Sequence, residues 1–150
     1  MIMGTAGFTA LQCSFTAKTT REELLLGKKV EEVIVSGASG GVGSMTVMIL
    51  NKLGANVTAV TGKESNKDYL KSIGAKNIIN TSDLTNDARP LDKGLWDGAV
   101  DTVGGKVLEN ILAQTKDSGI VAACGNATGC LLYTSPSPRD ATLSRMPSSA

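Results

Sequence analysis

A glycine-rich turn at residues 36–43 is the part of this sequence best suited to chemistry. It reads Ser-Gly-Ala-Ser-Gly-Gly-Val-Gly and follows a continuous apolar run at 33–35. Glycines at this spacing let the backbone turn sharply, approach an anion within hydrogen-bond distance and pack a helix on a strand. Because a helix N-terminus offers N–H groups and partial positive charge, the turn is predicted to hold a pyrophosphate.

The turn matches the dinucleotide-binding fingerprint. Gly40 and Gly43 take the places of its second and third glycines, and Ala38 takes the place of the first. A tight strand-to-helix turn without a ligand is the alternative interpretation. The fingerprint requires a strand before the turn, a helix after it, and a second strand that ends about 20 residues further along the chain. The sequence pattern predicts all three.

The end of that second strand bears on the choice of cofactor. Its last residue is Thr61, followed by Gly62, Lys63, Glu64 and Ser65. An NAD site usually has Asp or Glu at this point to bind the ribose hydroxyls, whereas Lys63 and Ser65 can hold a 2′-phosphate. The pattern therefore favours NADPH. The alternative is a solvated Lys63, with Glu64 on the ribose.

The elements around these residues alternate. A helix at 4–18 with apolar Phe8, Leu11 and Phe15 near one face is predicted first, then a helical turn carrying 24–26. Strands are predicted at 33–35, 56–61, 77–79, 97–101 and 119–124, and helices at 42–53, 66–73 and 103–115. Repeated β-α-β units with right-handed crossovers predict an α/β fold, a Rossmann-type doubly wound parallel sheet with five of its six strands.

Composition excludes several classes of function. Apolar residues make up 41% and charged residues 19%, which is ordinary for a globular domain. A formal charge of +1 with 3% aromatic residues argues against a nucleic-acid partner. No apolar run approaches the length of a bilayer span, so no membrane contact and a cytoplasmic location are expected. With no histidine and three scattered cysteines, no ordinary zinc site is predicted.

The segment 130–150 differs from the rest. Its CLLYTSPSPRD at 130–140 is what a common transposase sequencing adapter encodes in one frame, and the final SRMPSSA resembles the adjoining adapter. We therefore expect a truncated NAD(P)-binding domain at 1–129 and a non-native, disordered tail at 130–150. A natural Ser/Pro-rich tail is the alternative.

Five blocks in order carry a family resemblance: MIMGTAGFTA, SGASGGVGSMTV, AVTGKESNKDYLKSIGA, WDGAVDTVGGKVLENILAQ and GIVAACG. They resemble the YhdH/acrylyl-CoA reductase branch of the zinc-free, quinone oxidoreductase-like medium-chain reductases, over nearly all of 1–129. The resemblance implies a Rossmann domain within a GroES-like catalytic domain that is absent from these residues, and a homodimer at full length. It also implies hydride transfer from NADPH to an activated C=C bond of an acryloyl-CoA or a quinone-like enone.

The resemblance also implies roles for single residues. The phosphates would be bound by Ser39, Gly40, Gly41 and Val42. The adenosine 2′-phosphate end would be held by Thr61, Gly62, Lys63 and Ser65. The nicotinamide side would lie near Cys124 and Gly125. Residues 4–7 would border the domain cleft. No catalytic residue is assigned. Asp101 is interpreted as a cap for 102–104 or a neighbour of the cofactor, and Cys124 as a small buried thiol rather than a nucleophile.

Two other functions stay open from the sequence alone. Ser36 and Gly37 with Gly41 and Gly43 resemble the glycine turn of short-chain dehydrogenases, but those enzymes need a Tyr-x-x-x-Lys pair, and Tyr69 is followed by Ile73 at the fourth position. The second alternative is a dinucleotide-binding module without catalysis.

Overall fold

The structure is a computed structural model that describes residues 4–18, 30–85 and 94–125. Its helices are α1 (Gly4–Lys18), α2 (Gly41–Lys52), α3 (Lys67–Ser72) and α4 (Gly105–Gln114), and its strands are β1 (Glu32–Val35), β2 (Asn56–Thr61), β3 (Asn77–Asn80), β4 (Trp96–Asp101) and β5 (Thr115–Ala123). Short 3₁₀ turns follow β2 and β3, at Glu64–Asn66 and Thr81–Leu84. The helical turn predicted at 24–26 and the tail at 130–150 lie outside the described residues.

The five strands form one sheet in the order β3-β2-β1-β4-β5, and every neighbouring pair is parallel. The predicted α/β class and parallel sheet are therefore confirmed. The strand order reverses between β1 and β4, and in open parallel sheets the crevice outside the carboxyl ends at such a point is where ligands bind.

Helices cover both faces of the sheet, which makes it doubly wound. Along β1, Val33 and Val35 join a core with residues of α1, α2 and α3, whereas Ile34 joins a second core with Val107 and Ile111 of α4. Alternate residues of one strand thus face opposite cores, as expected for a strand buried on both sides. This burial holds the carboxyl ends of β1, β2 and β4 in fixed relation.

Helix α1 packs differently from what its apolar pattern suggests. Its buried positions are Gly7, Ala10, Ser14 and Ala17, while Phe8 and Phe15 are 67% and 54% exposed. The reason is close contact, since a Cβ placed on Gly98 of β4 would come 2.3 Å from the carbonyl oxygen of Ala17. Only small side chains fit between helix and sheet, so the large apolar ones point away from it.

Strand β5 begins at Thr115, four residues before its predicted start at 119. The pairing with β4 changes register between Trp96↔Thr115 and Gly98↔Ile120, so β5 carries extra residues there. An irregular strand start of this kind has no period-2 pattern from which it could be predicted.

Candidate functional site

The glycine turn at 36–43 joins β1 to α2 in a closely packed path. Gly37 has a φ of +57°, which favours glycine. A Cβ on Gly43 would lie 2.2 Å from the carbonyl oxygen of Gly37, so no side chain fits there without a backbone shift. The N–H of Ala38 donates to the carbonyl of Val60 at 3.0 Å, which ties the turn to β2.

The turn ends at an uncapped helix N-terminus. Gly40 is the N-cap of α2 and supplies no side-chain hydrogen bond to it. The first N–H groups of a helix have no acceptor within the helix, and they attract anions. The first turn of α1 is adjacent, because a Cβ on Gly41 would lie 3.8 Å from that of Ala6. Residues 4–7, predicted to border the cleft, thus start a helix beside the glycine turn.

Four of the predicted residues lie together at the end of β2, and we call Ser39, Thr61, Gly62 and Lys63 the β2 cluster. The Thr61 hydroxyl donates to that of Ser39 over 3.4 Å and accepts the N–H of Lys63 at 3.2 Å. Thr61 is buried, whereas Gly62 and Lys63 are exposed. The cluster therefore joins the glycine turn to an exposed surface on which Lys63 lies.

The structure adds one neighbour that sequence reasoning missed. A Cβ on Gly62 would lie 3.5 Å from the hydroxyl oxygen of Thr81, the residue that follows β3. The parallel pairing of β2 with β3 brings both strand ends to the same edge. A polar residue directly after a strand was the available signal, but only the strand order identifies the neighbouring strand.

Glu64 and Ser65, which also follow β2, make no hydrogen bond to the β2 cluster within the described part of the chain. The carboxyl group of Glu64 pairs with the ammonium group of Lys67 at 2.8 Å, and this hydrogen bond and charge lower the pKa of Glu64. Ser65 is exposed in the same 3₁₀ turn and makes no hydrogen bond to the β2 cluster within the described part of the chain. The structure thus brings Lys63 to Thr61 and leaves Ser65 apart.

A second polar group lies at the ends of β1 and β4, and we call Ser36, Asp101 and Thr102 the β4 network. The Asp101 carboxyl group is fully buried and accepts the Ser36 hydroxyl at 2.5 Å and the Gly104 N–H at 2.8 Å. It also accepts the N–H of Val103 at 3.4 Å. The predicted capping role of Asp101 is confirmed for 103 and 104, whereas the N–H of Thr102 donates to the Ser36 hydroxyl at 2.9 Å.

Cys124 and Gly125 follow β5 and lie against the β4 network. The Cys124 N–H donates to the carbonyl of Asp101 at 2.9 Å, and its thiol does so at 3.4 Å. Cys124 is exposed, so its interpretation as a buried thiol was wrong; it follows β5, the edge strand of the described sheet. Desolvation of the thiol and the adjacent Cys13 thiol still raise the pKa of Cys124 to about 12, which makes it a poor nucleophile.

The described part of the chain has neither a metal-binding cluster nor a membrane-spanning helix. Within residues 4–18, 30–85 and 94–125, no three His, Cys, Asp or Glu side chains are grouped to hold a metal ion. Over the same ranges, no helix is long and apolar enough to cross a bilayer.

The fold and the turn together define a Rossmann-type dinucleotide-binding domain. A family described as zinc-binding dehydrogenase matches residues 41–141, and the chain belongs to that family. The match continues beyond residue 129, into the segment for which a non-natural origin is expected. Membership in this family removes the short-chain dehydrogenase interpretation.

Three proteins similar to this chain show which reductases it resembles. The probable acrylyl-CoA reductase AcuI of Escherichia coli is 48% identical over 92% of this chain and 41% of its own length. A crystal structure of the yhdH oxidoreductase from Salmonella enterica in complex with NADP is 50% identical over 90% of this chain and 40% of that one, with a TM-score of 0.79. The resemblance found in the sequence is confirmed by both.

The third is the Bacillus subtilis protein YhfP, a putative quinone oxidoreductase that is 41% identical over 86% of this chain and 38% of its own length. Its structure with NAD bound has a TM-score of 0.73 and 36% identity, over 91% of this chain and 40% of that one. This chain thus spans about two fifths of the length of the relatives it matches.

Proposed function

We propose that this chain is the NADPH-binding part of an oxidoreductase, and that at full length the enzyme is a zinc-independent medium-chain reductase. The observation that carries the proposal is the glycine turn at the strand-order reversal, with an uncapped helix N-terminus on one side and the β2 cluster on the other. This arrangement suits a dinucleotide whose pyrophosphate sits at α2 and whose two ends extend over the neighbouring strands.

The residues present fit the cofactor. The space beside the turn is closed to a side chain at Gly43, whereas Gly40 and Gly41 are exposed at the start of α2. A backbone without side chains there can approach phosphate oxygens closely. In this proposal Ser39, Gly40, Gly41 and Val42 bind the pyrophosphate.

The β2 cluster supports NADPH over NADH. Its strand ends in Thr61 instead of an acidic residue, and the next acidic residue along the chain, Glu64, is paired with Lys67. Lys63 is exposed beside Thr61 and is the cation available for a 2′-phosphate, with Gly62 leaving room and Ser65 one turn further on. Cys124 and Gly125 are proposed to face the nicotinamide.

The reaction proposed for the full-length enzyme is hydride transfer to the β-carbon of an activated C=C bond, in an acryloyl-CoA or a quinone-like enone. The names of the E. coli and B. subtilis relatives support these two substrate classes. The cofactor would supply the hydride, and the protein would orient it and the acceptor. We further propose a cytoplasmic homodimer at full length, a truncated domain at 1–129 followed by a non-native segment at 130–150, and no reduction by the present chain alone.

The test is the affinity of the purified chain for NADPH and NADH, measured by the fluorescence of the reduced nicotinamide. We expect tighter binding of NADPH. Lys63→Ala should weaken NADPH binding about tenfold, the value of one charge-assisted contact, and leave NADH binding unchanged. Lys71→Ala, on the exposed surface of α3, is the matched control. Equal affinity for the two cofactors in the wild-type chain would contradict the choice of NADPH.

A second test concerns the boundary. Resequencing of the genomic locus should give a reading frame that continues from Gly129 into a sixth strand and upstream into a β-rich domain. A genomic frame that encodes residues 130–150 as given, followed by a stop codon, would instead support a binding module without catalysis.

A further inference from the structure

The β4 network is built around a carboxyl group that the proposed chemistry does not use. Asp101 has no solvent exposure, and its hydrogen-bond donors are one hydroxyl and backbone N–H groups. A buried carboxyl group is costly unless it is well hydrogen-bonded, so this arrangement has to hold its donors in place.

One side of the network holds the start of the glycine turn. The Ser36 hydroxyl donates to Asp101 and accepts the N–H of Thr102 at 2.9 Å. The Thr102 hydroxyl donates back to the Ser36 carbonyl at 3.0 Å. The next residue is equally confined, since a Cβ on Gly37 would lie 2.2 Å from the Thr102 hydroxyl oxygen. The turn and the end of β4 therefore cannot move independently.

The other side of the network holds the residues after β5. The carbonyl of Asp101 accepts the Cys124 N–H at 2.9 Å. A Cβ on Gly125 would lie 2.2 Å from the carbonyl oxygen of Thr102, so this backbone rests directly on the one at 102. The ends of β1, β4 and β5 are thus joined through the three residues of the β4 network.

We infer that Asp101 is a positioning residue that sets Cys124 and Gly125, the proposed nicotinamide side, against the glycine turn that binds the pyrophosphate. The inference rests on the proposed function. Asp101 is a positioning residue and not a cofactor ligand in this proposal, because its side chain is fully buried. The β2 cluster makes its contacts through Ser39 and Thr61, outside the network. Loss of the Asp101 carboxyl group therefore affects one end of the cofactor and spares the other.

The test compares two probes on the same chain: NADPH, and 2′-phospho-ADP-ribose, which has the adenosine and phosphate groups but no nicotinamide. Asp101→Asn should raise the Kd for NADPH about tenfold, as expected for the loss of hydrogen bonds at a buried carboxyl group, and should raise the Kd for 2′-phospho-ADP-ribose less than about twofold. Ser36→Ala is the second variant, for use if Asp101→Asn does not fold. It removes the hydroxyl donor, leaves the backbone N–H groups on the carboxyl group, and should change the two Kd values in the same direction.

Asp97→Asn is the matched control, because Asp97 lies at the opposite end of β4 and also accepts backbone N–H groups, from Glu31 and Glu32. It should leave the ratio of the two Kd values unchanged. A proportional loss of both probes in the Ser36 and Asp101 variants, or no loss, overturns the positioning role while the proposed function stands. Failure of the wild-type chain to bind either probe overturns both.

Discussion

The two halves of the candidate site are built on opposite principles. On one side, the β2 cluster has one long side-chain hydrogen bond, Thr61 to Ser39 at 3.4 Å, and an exposed cation, Lys63. On the other side, the β4 network surrounds a fully buried carboxyl group with contacts of 2.5 and 2.8 Å. Both halves follow parallel strands of the same sheet and flank the same turn.

The difference has a physical meaning for a dinucleotide site. An exposed cation beside a small hydroxyl tolerates movement, because charge attraction changes slowly with distance. A buried network of short hydrogen bonds does not, since each misplaced donor leaves a polar group unsatisfied. Under the proposed function, the β2 side would therefore provide affinity and the choice between cofactors, and the β4 side would fix the position of the nicotinamide end.

The sharpest test of this comparison uses one glycine from each half. Gly125→Ala should lower the free energy of unfolding by about 1–3 kcal/mol, the usual cost of overpacking, because its Cβ would meet the Thr102 backbone at 2.2 Å. Gly62→Ala should change it by less than about 0.5 kcal/mol, since its Cβ would make an ordinary 3.5 Å contact with Thr81. Urea denaturation measures both. Equal losses would mean that the two halves are equally rigid.

A smaller effect is expected from one threonine in each half. Thr102→Val removes the 3.0 Å hydrogen bond to the Ser36 carbonyl and should cost about 1 kcal/mol of unfolding free energy. Thr61→Val removes longer contacts, of 3.4 and 3.2 Å, and should cost less while weakening NADPH binding severalfold. Thermal denaturation and cofactor titration separate the two effects. A reversed order in stability would refute the comparison.

The fold could be predicted almost fully from the sequence, and the reason is periodicity. Strand β2 occurs at its predicted bounds, 56–61, because a buried strand leaves a regular apolar pattern. Helix α1 also occurs at its predicted bounds, 4–18, although small residues and not its large apolar ones face the sheet. The start of β5 and the direction of the α1 apolar stripe were not predictable. Both depend on close tertiary contacts, such as the one between Ala17 and Gly98.

The candidate site also has features that could be predicted from a local sequence pattern and features that could not. The glycine turn and Lys63 were predicted because they follow a strand in a fixed local pattern. The hydrogen bonds of Ser36 to Asp101 and to Thr102 were not predicted, although all three are polar residues near strand ends. Their pairing spans more than sixty positions and depends on β1 lying next to β4, which the strand order of the structure provides.

The reactivity of Cys124 tests how closely the residues after β5 are held. Because desolvation, and then the Cys13 thiol, raise the pKa of Cys124 to about 12, its alkylation at pH 8 should be slower than in the urea-unfolded chain. The rate should rise tenfold per pH unit. Because the folded pKa is raised, the linked stability is present below about pH 9 and is lost as the pH rises toward 12. Peptide mass analysis identifies the modified site; folded-state alkylation as fast as unfolded would mean that this backbone detaches from Asp101.

The smallest effect is expected for the exposed ion pair next to the β2 cluster. Lys67→Ala removes the hydrogen bond and charge that lower the pKa of Glu64, so an NMR titration should find that pKa back in its ordinary range. The stabilisation from a lowered carboxyl pKa is present above the unfolded value and lost as the pH falls through the folded one. Since the Glu64 side chain is 77% exposed, urea denaturation at pH 7 should detect no change, and NADPH binding should stay the same. If Lys67→Ala weakened NADPH binding as much as Lys63→Ala, the 2′-phosphate would be held by the summed positive charge of this surface. The β2 side would then select its cofactor by its overall positive charge, and the position of Lys63 beside Thr61 would make no specific contribution.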